Sequence, residues 1–170
     1  QEDWDRLDSA GRAAKKARQG VRYHTLEALA VLDPQTMDPV PADGVTLEPG
    51  HVYIAADPDK HAVFEPGSPP RLRLVARDPV DGARPSATLL FGTIARAGVP
   101  ALGAVLTGMG EDGAKGLKLL RDVGGKTYAQ DRLTALVSEA PAAAIAAGGA
   151  EHELRIDALR EAVFAACNKA

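Results

Sequence analysis

With 170 residues, of which 45% are hydrophobic and 25% charged, the chain is long enough for one domain with a sizeable core and ordinary for a globular protein. A net charge of −3 leaves no basic footprint for nucleic acid, and no apolar run approaches the roughly 20 residues that span a bilayer, so neither nucleic-acid binding nor membrane insertion is expected. A single cysteine, Cys167, excludes an internal disulfide framework and, with no secretory signal at the start, fits a reducing cytoplasm.

The chain opens on Gln1 rather than Met, as a fragment or processed form would. Residues 1–19 are strongly polar, with a basic run from Arg12 to Arg18, and read as a surface helix or disorder broken at Gly20. Val21 to Leu32 suits a strand or a short helix equally. Asp33 to Gly44, with Pro34, Pro39 and Pro41, is expected to be a loop. Beyond Val45 the signals sharpen. HVYIA (51–55), HAVFE (61–65) and RLRLV (71–75) are separated by the turns Glu48-Pro49-Gly50, Asp57-Pro58-Asp59 and Pro66 to Pro70. They are expected as three short strands of an antiparallel excursion.

Ser86, just after Pro85, is placed as the N-cap of a helix through Leu89, Leu90 and Ile94 that stops at Gly98. Ala101 to Leu106 reads as a short buried strand. A turn with Gly108, Gly110 and Gly113 follows, then a helix carrying Ala114, Leu117, Leu120 and Val123 on one face. Gly124-Gly125 ends it, and KTYAQ (126–130) is the next strand. Ser138 to Ala147 is a short helix with Pro141 in its first turn, capped by Ser138 and closed by Gly148. Residues 150–155 form a last strand. Asp157 caps a closing helix whose inner face holds Ile156, Leu159, Val163 and Phe164. From Ser86 onward helices and strands alternate, which implies an α/β fold with parallel strands and right-handed crossovers.

The glycine turn carries two acids, Glu111 and Asp112, that need a reason. Gly108-Met-Gly110-Glu-Asp-Gly113 satisfies G-x-G-x-x-G between a strand and a helix, with Asp131 about 20 residues on, the formal dinucleotide fingerprint. A pyrophosphate would sit on the helix N-terminus beside both carboxylates. Like charges a few ångströms apart in a partly buried site cost kilocalories, so this reading is set aside. Asp112 then has two compatible readings. It is a helix N-cap, contributing about 1 kcal/mol, or a catalytic carboxylate that holds a histidine.

The stretch LTGMGEDGAKGLKLLRDVGGKTYAQD (106–131) closely resembles the signature of CheB-type protein-glutamate methylesterases: L-T-G-M-G-x-D-G, an apolar helix, G-G, a strand and A-Q-D. LEPGHVYIA (47–55) resembles the family's L-x-P-G-x-x-Y-I-A hairpin. Arg84-Pro85-Ser86 with Leu90-Phe91 looks like its R-P-S-V-D-x-L-F, and Pro141 to Ile145 like its M-P-x-A-A-I helix. The resemblance covers about residues 45–168. It implies a doubly wound α/β domain, its mainly parallel sheet flanked by helices with a short antiparallel excursion, over 45–170. Residues 1–44 are then a divergent or incomplete N-terminal segment of the same domain. It also implies hydrolysis of glutamate methyl esters on methylated chemoreceptors by Ser-His-Asp chemistry, with no metal or cofactor, in a protein that usually carries an N-terminal receiver domain.

Carried over by motif, Asp112 is the triad aspartate, and Met109 and Thr107 of the same turn lie at the substrate. Arg84 is a substrate or receptor contact, or else a structural salt-bridge partner. The family's nucleophile motif G-A-S-T-G-G and histidine motif Q-H-M-P do not occur in the chain. Ser9 and His24 are the candidates in the family's chain order, against plain readings as a surface cap and a surface or interface residue. Thr88 stands where the family has Asp, and Ser138-Glu139-Ala140 replaces the approach to its M-P. The expectation is a methylesterase domain, impaired if Ser9 and His24 do not serve. The alternative is a non-catalytic relative that binds a chemoreceptor or signalling partner.

Overall fold

The structure, a computed structural model, describes residues 30–32, 39–40, 43–55 and 57–167. Its N-terminal half holds two small antiparallel sheets. In one, β1 (Ala30–Leu32) lies between β2 (Pro39–Val40) and β4 (Tyr53–Ile54), with Val31 opposite both Val40 and Tyr53. In the other, β6 (Arg71–Val75) lies between β3 (Val45–Thr46) and β5 (His61–Glu65). The hairpin of β5 and β6 pairs over all five residues, from His61 opposite Val75 to Glu65 opposite Arg71.

Two expectations change here. The segment 51–55 does not join the hairpin of 61–75. Only Tyr53–Ile54 is strand, and it pairs with β1. The backbone of 53–54 is taken by β1, and only the side chain of Tyr53 reaches the hairpin's sheet: its hydroxyl donates to Thr46 O (3.0 Å) in β3 and accepts from Glu48 N (2.9 Å), which closes the 46–53 turn. The proline-rich stretch 33–44 is not all loop, because Pro39–Val40 pairs at a sheet edge, where proline's missing N–H is tolerated. Residues 21–29 lie outside the described residues.

The C-terminal half follows the expected alternation: α1 (Ala87–Ala97), β7 (Leu102–Val105), α2 (Ala114–Asp122), β8 (Lys126–Gln130), α3 (Glu139–Ala146), β9 (His152–Leu154) and α4 (Ile156–Cys167). The strands form a parallel sheet in the order β7-β8-β9. Ser86 caps α1, its hydroxyl accepting from Leu89 N at 3.2 Å, and Gly98 ends the helix in the left-handed conformation. The α/β class with a parallel sheet and antiparallel additions is thus as expected.

The core is built from small residues. Val105, Ala114, Leu117, Ala129, Ala140 and Ala144 pack together with Phe91 against them. A second cluster centres on Ala62 and Leu72 and takes Leu90 and Tyr53. Neighbouring residues of α1, Leu90 and Phe91, therefore face the hairpin cluster and the parallel-sheet cluster respectively. The approach of α1 to α2 is close at Gly116, where a Cβ would lie 2.5 Å from Thr88 O. Only glycine admits that contact.

Helix edges depart from the periodic reading. Val123 is the C-cap residue of α2 and is exposed, and Ser138 makes no side-chain cap bond. Asp157 sits in the first turn of α4 and does not cap it. On that helix Leu159 is buried, whereas Ile156 and Phe164 are exposed; Arg160 covers the Phe164 ring at 5.6 Å. Among the described residues, no helix is long and apolar enough to cross a membrane.

Candidate active site

Residues 106–113 leave the carboxyl end of β7, the place where open α/β sheets hold their sites. The turn is seated on Val137 and the first residues of α3: Gly108 N donates to Val137 O (3.0 Å), Ala140 N to Gly108 O (3.0 Å) and Gly110 N to Glu139 Oε2 (3.0 Å). Met109, at the tip, is 70% exposed. Thr107 is tied down. Its N–H donates to Gln130 Oε1 (2.9 Å), and its hydroxyl donates to Val137 O (3.1 Å) and accepts from Val137 N (2.8 Å).

Asp112 is half-buried and does not cap its own helix. The N-cap of α2 is Gly113, which carries no side-chain cap bond. The Asp112 carboxylate instead reaches the N-terminus of α1. Oδ1 accepts from Ser86 Oγ (2.6 Å) and Thr88 N (3.1 Å), and Oδ2 accepts from Ala87 N (2.6 Å). The reason is geometric. The glycine turn, with Gly110 and Gly113 at positive φ, carries residue 112 across to the neighbouring helix, whose first amides and dipole favour an anion. The tie is reciprocal, for Gly113 N donates to Thr88 Oγ1 (2.7 Å). An ionised carboxylate offers about four acceptor positions. Three are filled among the described residues, and one on Oδ2 has no partner among them.

Behind this contact lies His61, fully buried at the start of β5. Its Nδ1 accepts from Ser86 N (3.2 Å), so the ring's proton sits on Nε2 and donates to Asp78 O (3.1 Å). A serine, a histidine and an aspartate thus meet at one point, yet they are not a nucleophilic triad. The Ser86 hydroxyl is 3% exposed with its residue, donates to Asp112 and accepts from Leu89 N, while the imidazole faces the serine's backbone. The R-P-S motif marked Ser86 as a cap; nothing local marked His61, 25 residues away.

Arg84 is engaged in three directions. Nε donates to Pro58 O (2.6 Å), one terminal nitrogen to Arg77 O (3.3 Å) and the other to Asp59 Oδ1 (3.2 Å). Lys115 in the first turn of α2 pairs with Asp81 at 2.6 Å; this holds the Asp81 carboxyl below its usual range and the ammonium above its own. Asp81 also faces the Thr88 hydroxyl. Asp131, after β8, accepts from the Thr134 hydroxyl and from Thr134 N (2.8 Å), and these bonds lower its pKa. Among the described residues, no group of His, Cys, Asp and Glu is placed to hold a metal ion. Ser9 and His24 lie outside the described residues.

Residues 23–163 match a family model described as CheB methylesterase. A protein-glutamate methylesterase/protein-glutamine glutaminase 1 of Caulobacter vibrioides is 41% identical over 124 residues, 72% of this chain and 36% of that protein. A protein-glutamate methylesterase/protein-glutamine glutaminase 3 of Anaeromyxobacter dehalogenans is 43% identical over 129 residues, 72% of this chain and 37% of that protein. The chain spans about a third of the length of these relatives. The crystal structure of the Thermotoga maritima CheB methylesterase catalytic domain is similar with a TM-score of 0.63 at 29% identity, over 70% of this chain and 64% of that one.

Proposed function

Because the chain belongs to the CheB methylesterase family, we propose that it hydrolyses glutamate methyl esters on methylated chemoreceptors in the cytoplasm, by Ser-His-Asp acyl transfer. The observation that carries this reading is Asp112. It stands at the carboxyl end of a parallel strand, oriented by three donors, and the Oδ2 position that has no partner among the described residues would accept an imidazole N–H. A carboxylate so placed would hold a histidine in one tautomer and stabilise its cation.

The chemistry follows from that arrangement. A serine hydroxyl adds to the ester carbonyl while the imidazole takes its proton. The tetrahedral species collapses, the imidazolium protonates the departing methoxide, and methanol leaves. Water, deprotonated by the same imidazole, then hydrolyses the acyl-serine to glutamate and free serine. The relatives' names also include protein-glutamine glutaminase. The same sequence with ammonia as leaving group would deamidate glutamine. Ser9 is proposed as nucleophile and His24 as base, a pair that with Asp112 keeps the family's chain order. Met109, exposed at the tip of the turn, would lie against the ester with Thr107 behind it, whereas the bonds of Arg84 to Pro58, Arg77 and Asp59 favour its structural reading.

The test is hydrolysis of an activated ester and of a peptide bearing a glutamate methyl ester, with fluorophosphonate labelling read by mass spectrometry. Turnover, label on Ser9 and loss of both in Ser9→Ala are expected. A folded chain that neither turns over nor labels would replace this reading with that of a receptor-binding module.

A further inference from the structure

The hydrogen bonds around Asp112 have a hierarchy. The two amides, Ala87 N and Thr88 N, belong to a helix end and would accept any anion there. The third donor is a side chain. Ser86 Oγ approaches Oδ1 at 2.6 Å from a residue 3% exposed, and its own position is braced from behind by His61, which accepts Ser86 N–H at 3.2 Å. The hydroxyl cannot turn elsewhere cheaply, since its lone pair receives Leu89 N at 3.2 Å and its proton is thereby directed at Asp112. With Oδ1 taking both Ser86 Oγ and Thr88 N, the open position falls on Oδ2.

We propose that Ser86, braced by the buried His61, is the positioning residue of Asp112: its hydroxyl selects the carboxylate rotation that leaves the Oδ2 acceptor position open for the imidazole. The proposal rests on the hydrolytic reading above for its consequence, and on the hydrogen-bond geometry alone for the orientation itself. Ser86 touches neither substrate nor the reacting atoms; it acts through Asp112.

The experiment compares four variants with the parent chain. Ser86→Ala removes the hydroxyl and the cap together. Ser86→Gly removes the same hydroxyl but leaves a residue that is tolerated at an N-cap, so it remains folded if Ser86→Ala does not. Ser86→Thr keeps the hydroxyl. Gly98→Ala strains the other end of α1, where φ is +65° and no atom lies within 4 Å of the added Cβ, and so destabilises the helix without touching Asp112.

Two readouts are taken. One is the amide proton resonances of Ala87 and Thr88, deshielded by the carboxylate and independent of turnover. The other is kcat against KM for ester hydrolysis. In Ser86→Ala and Ser86→Gly the two resonances move upfield, and kcat falls roughly ten- to a hundredfold at unchanged KM, the size of effect that misplacing a catalytic group produces. Ser86→Thr restores both, and Gly98→Ala moves neither. If Ser86→Gly keeps the parent resonances and the parent kcat, the assignment of Ser86 is overturned. If the resonances move as expected but the parent chain has no turnover, Ser86 remains the residue that orients Asp112, and the hydrolytic reading falls instead.

Discussion

Two aspartates stand just beyond the carboxyl ends of adjacent parallel strands, Asp112 after β7 and Asp131 after β8, and they do opposite things. Asp131 turns back on its own segment. It receives the Thr134 hydroxyl and Thr134 N three residues on, and together with Gln130, which receives Thr107 N and donates to Thr134 O, it fixes the 131–137 loop. Asp112 reaches donors 24 to 26 residues earlier in the chain and so joins the N-termini of two helices. The first is an Asx-type turn that any solvated loop can form. The second exists only where α1 and α2 are in contact, and its carboxylate has an acceptor position on Oδ2 with no partner among the described residues. One acid shapes its own loop; the other ties together segments far apart in the chain.

The largest expected effect tests the role of Asp112. Asp112→Asn keeps the size of the side chain but presents an amide where a carboxylate is needed. Ester turnover should fall by about 10⁴, the loss known for such a change in a Ser-His-Asp triad. A fall of less than tenfold in steady-state assays would remove Asp112 from the reaction. Asp112→Ala adds a stability effect, because Ser86 Oγ and two helix amides lose their acceptor. Thermal unfolding should report a loss of about 1–3 kcal/mol.

Gly116→Ala sharpens the dependence on helix contact. The new Cβ would meet Thr88 O at 2.5 Å and Thr88 Cα at 2.7 Å, both backbone, so the helices must separate. Overpacking of this kind costs about 1–3 kcal/mol in a denaturant titration. Activity should fall alongside stability, while the 131–137 loop keeps its amide protection.

The smallest effect belongs to Asp131. Its pKa is lowered, first by the Thr134 hydroxyl, so its contribution is present above the usual carboxylate range and is lost as pH falls through the lowered folded value. Protection of Thr134 N against hydrogen exchange should therefore persist at neutral pH and decline below about pH 4. In Asp131→Asn it should be weaker at every pH, with ester turnover intact. A loss of turnover comparable to that of Asp112→Asn would break the distinction between the two loops.

Much of this is legible in the sequence. The alternation after Ser86, the cap at Ser86, the stop at Gly98 and the glycine turn all rest on local rules, and each stands in the structure where those rules put it. Local rules failed where a distant partner decided. Tyr53–Ile54 lies outside the hairpin's sheet because it pairs with β1. Ile156 and Phe164 fit the apolar period of α4 yet are exposed. Asp112 had the residue type and position of a cap, but the helix it binds is another one.

The sequence by itself determined the class of fold, the position of the glycine turn and the family, because turn chemistry, periodicity and motif spacing are properties of neighbouring residues. Only the tertiary structure decided what Asp112 touches. That depends on Gly116 admitting α1 at backbone distance, on Thr88 receiving Gly113 N, and on His61 from a hairpin strand bracing Ser86. Such contacts form between segments far apart in the chain. Their geometry follows from packing, which no local pattern encodes.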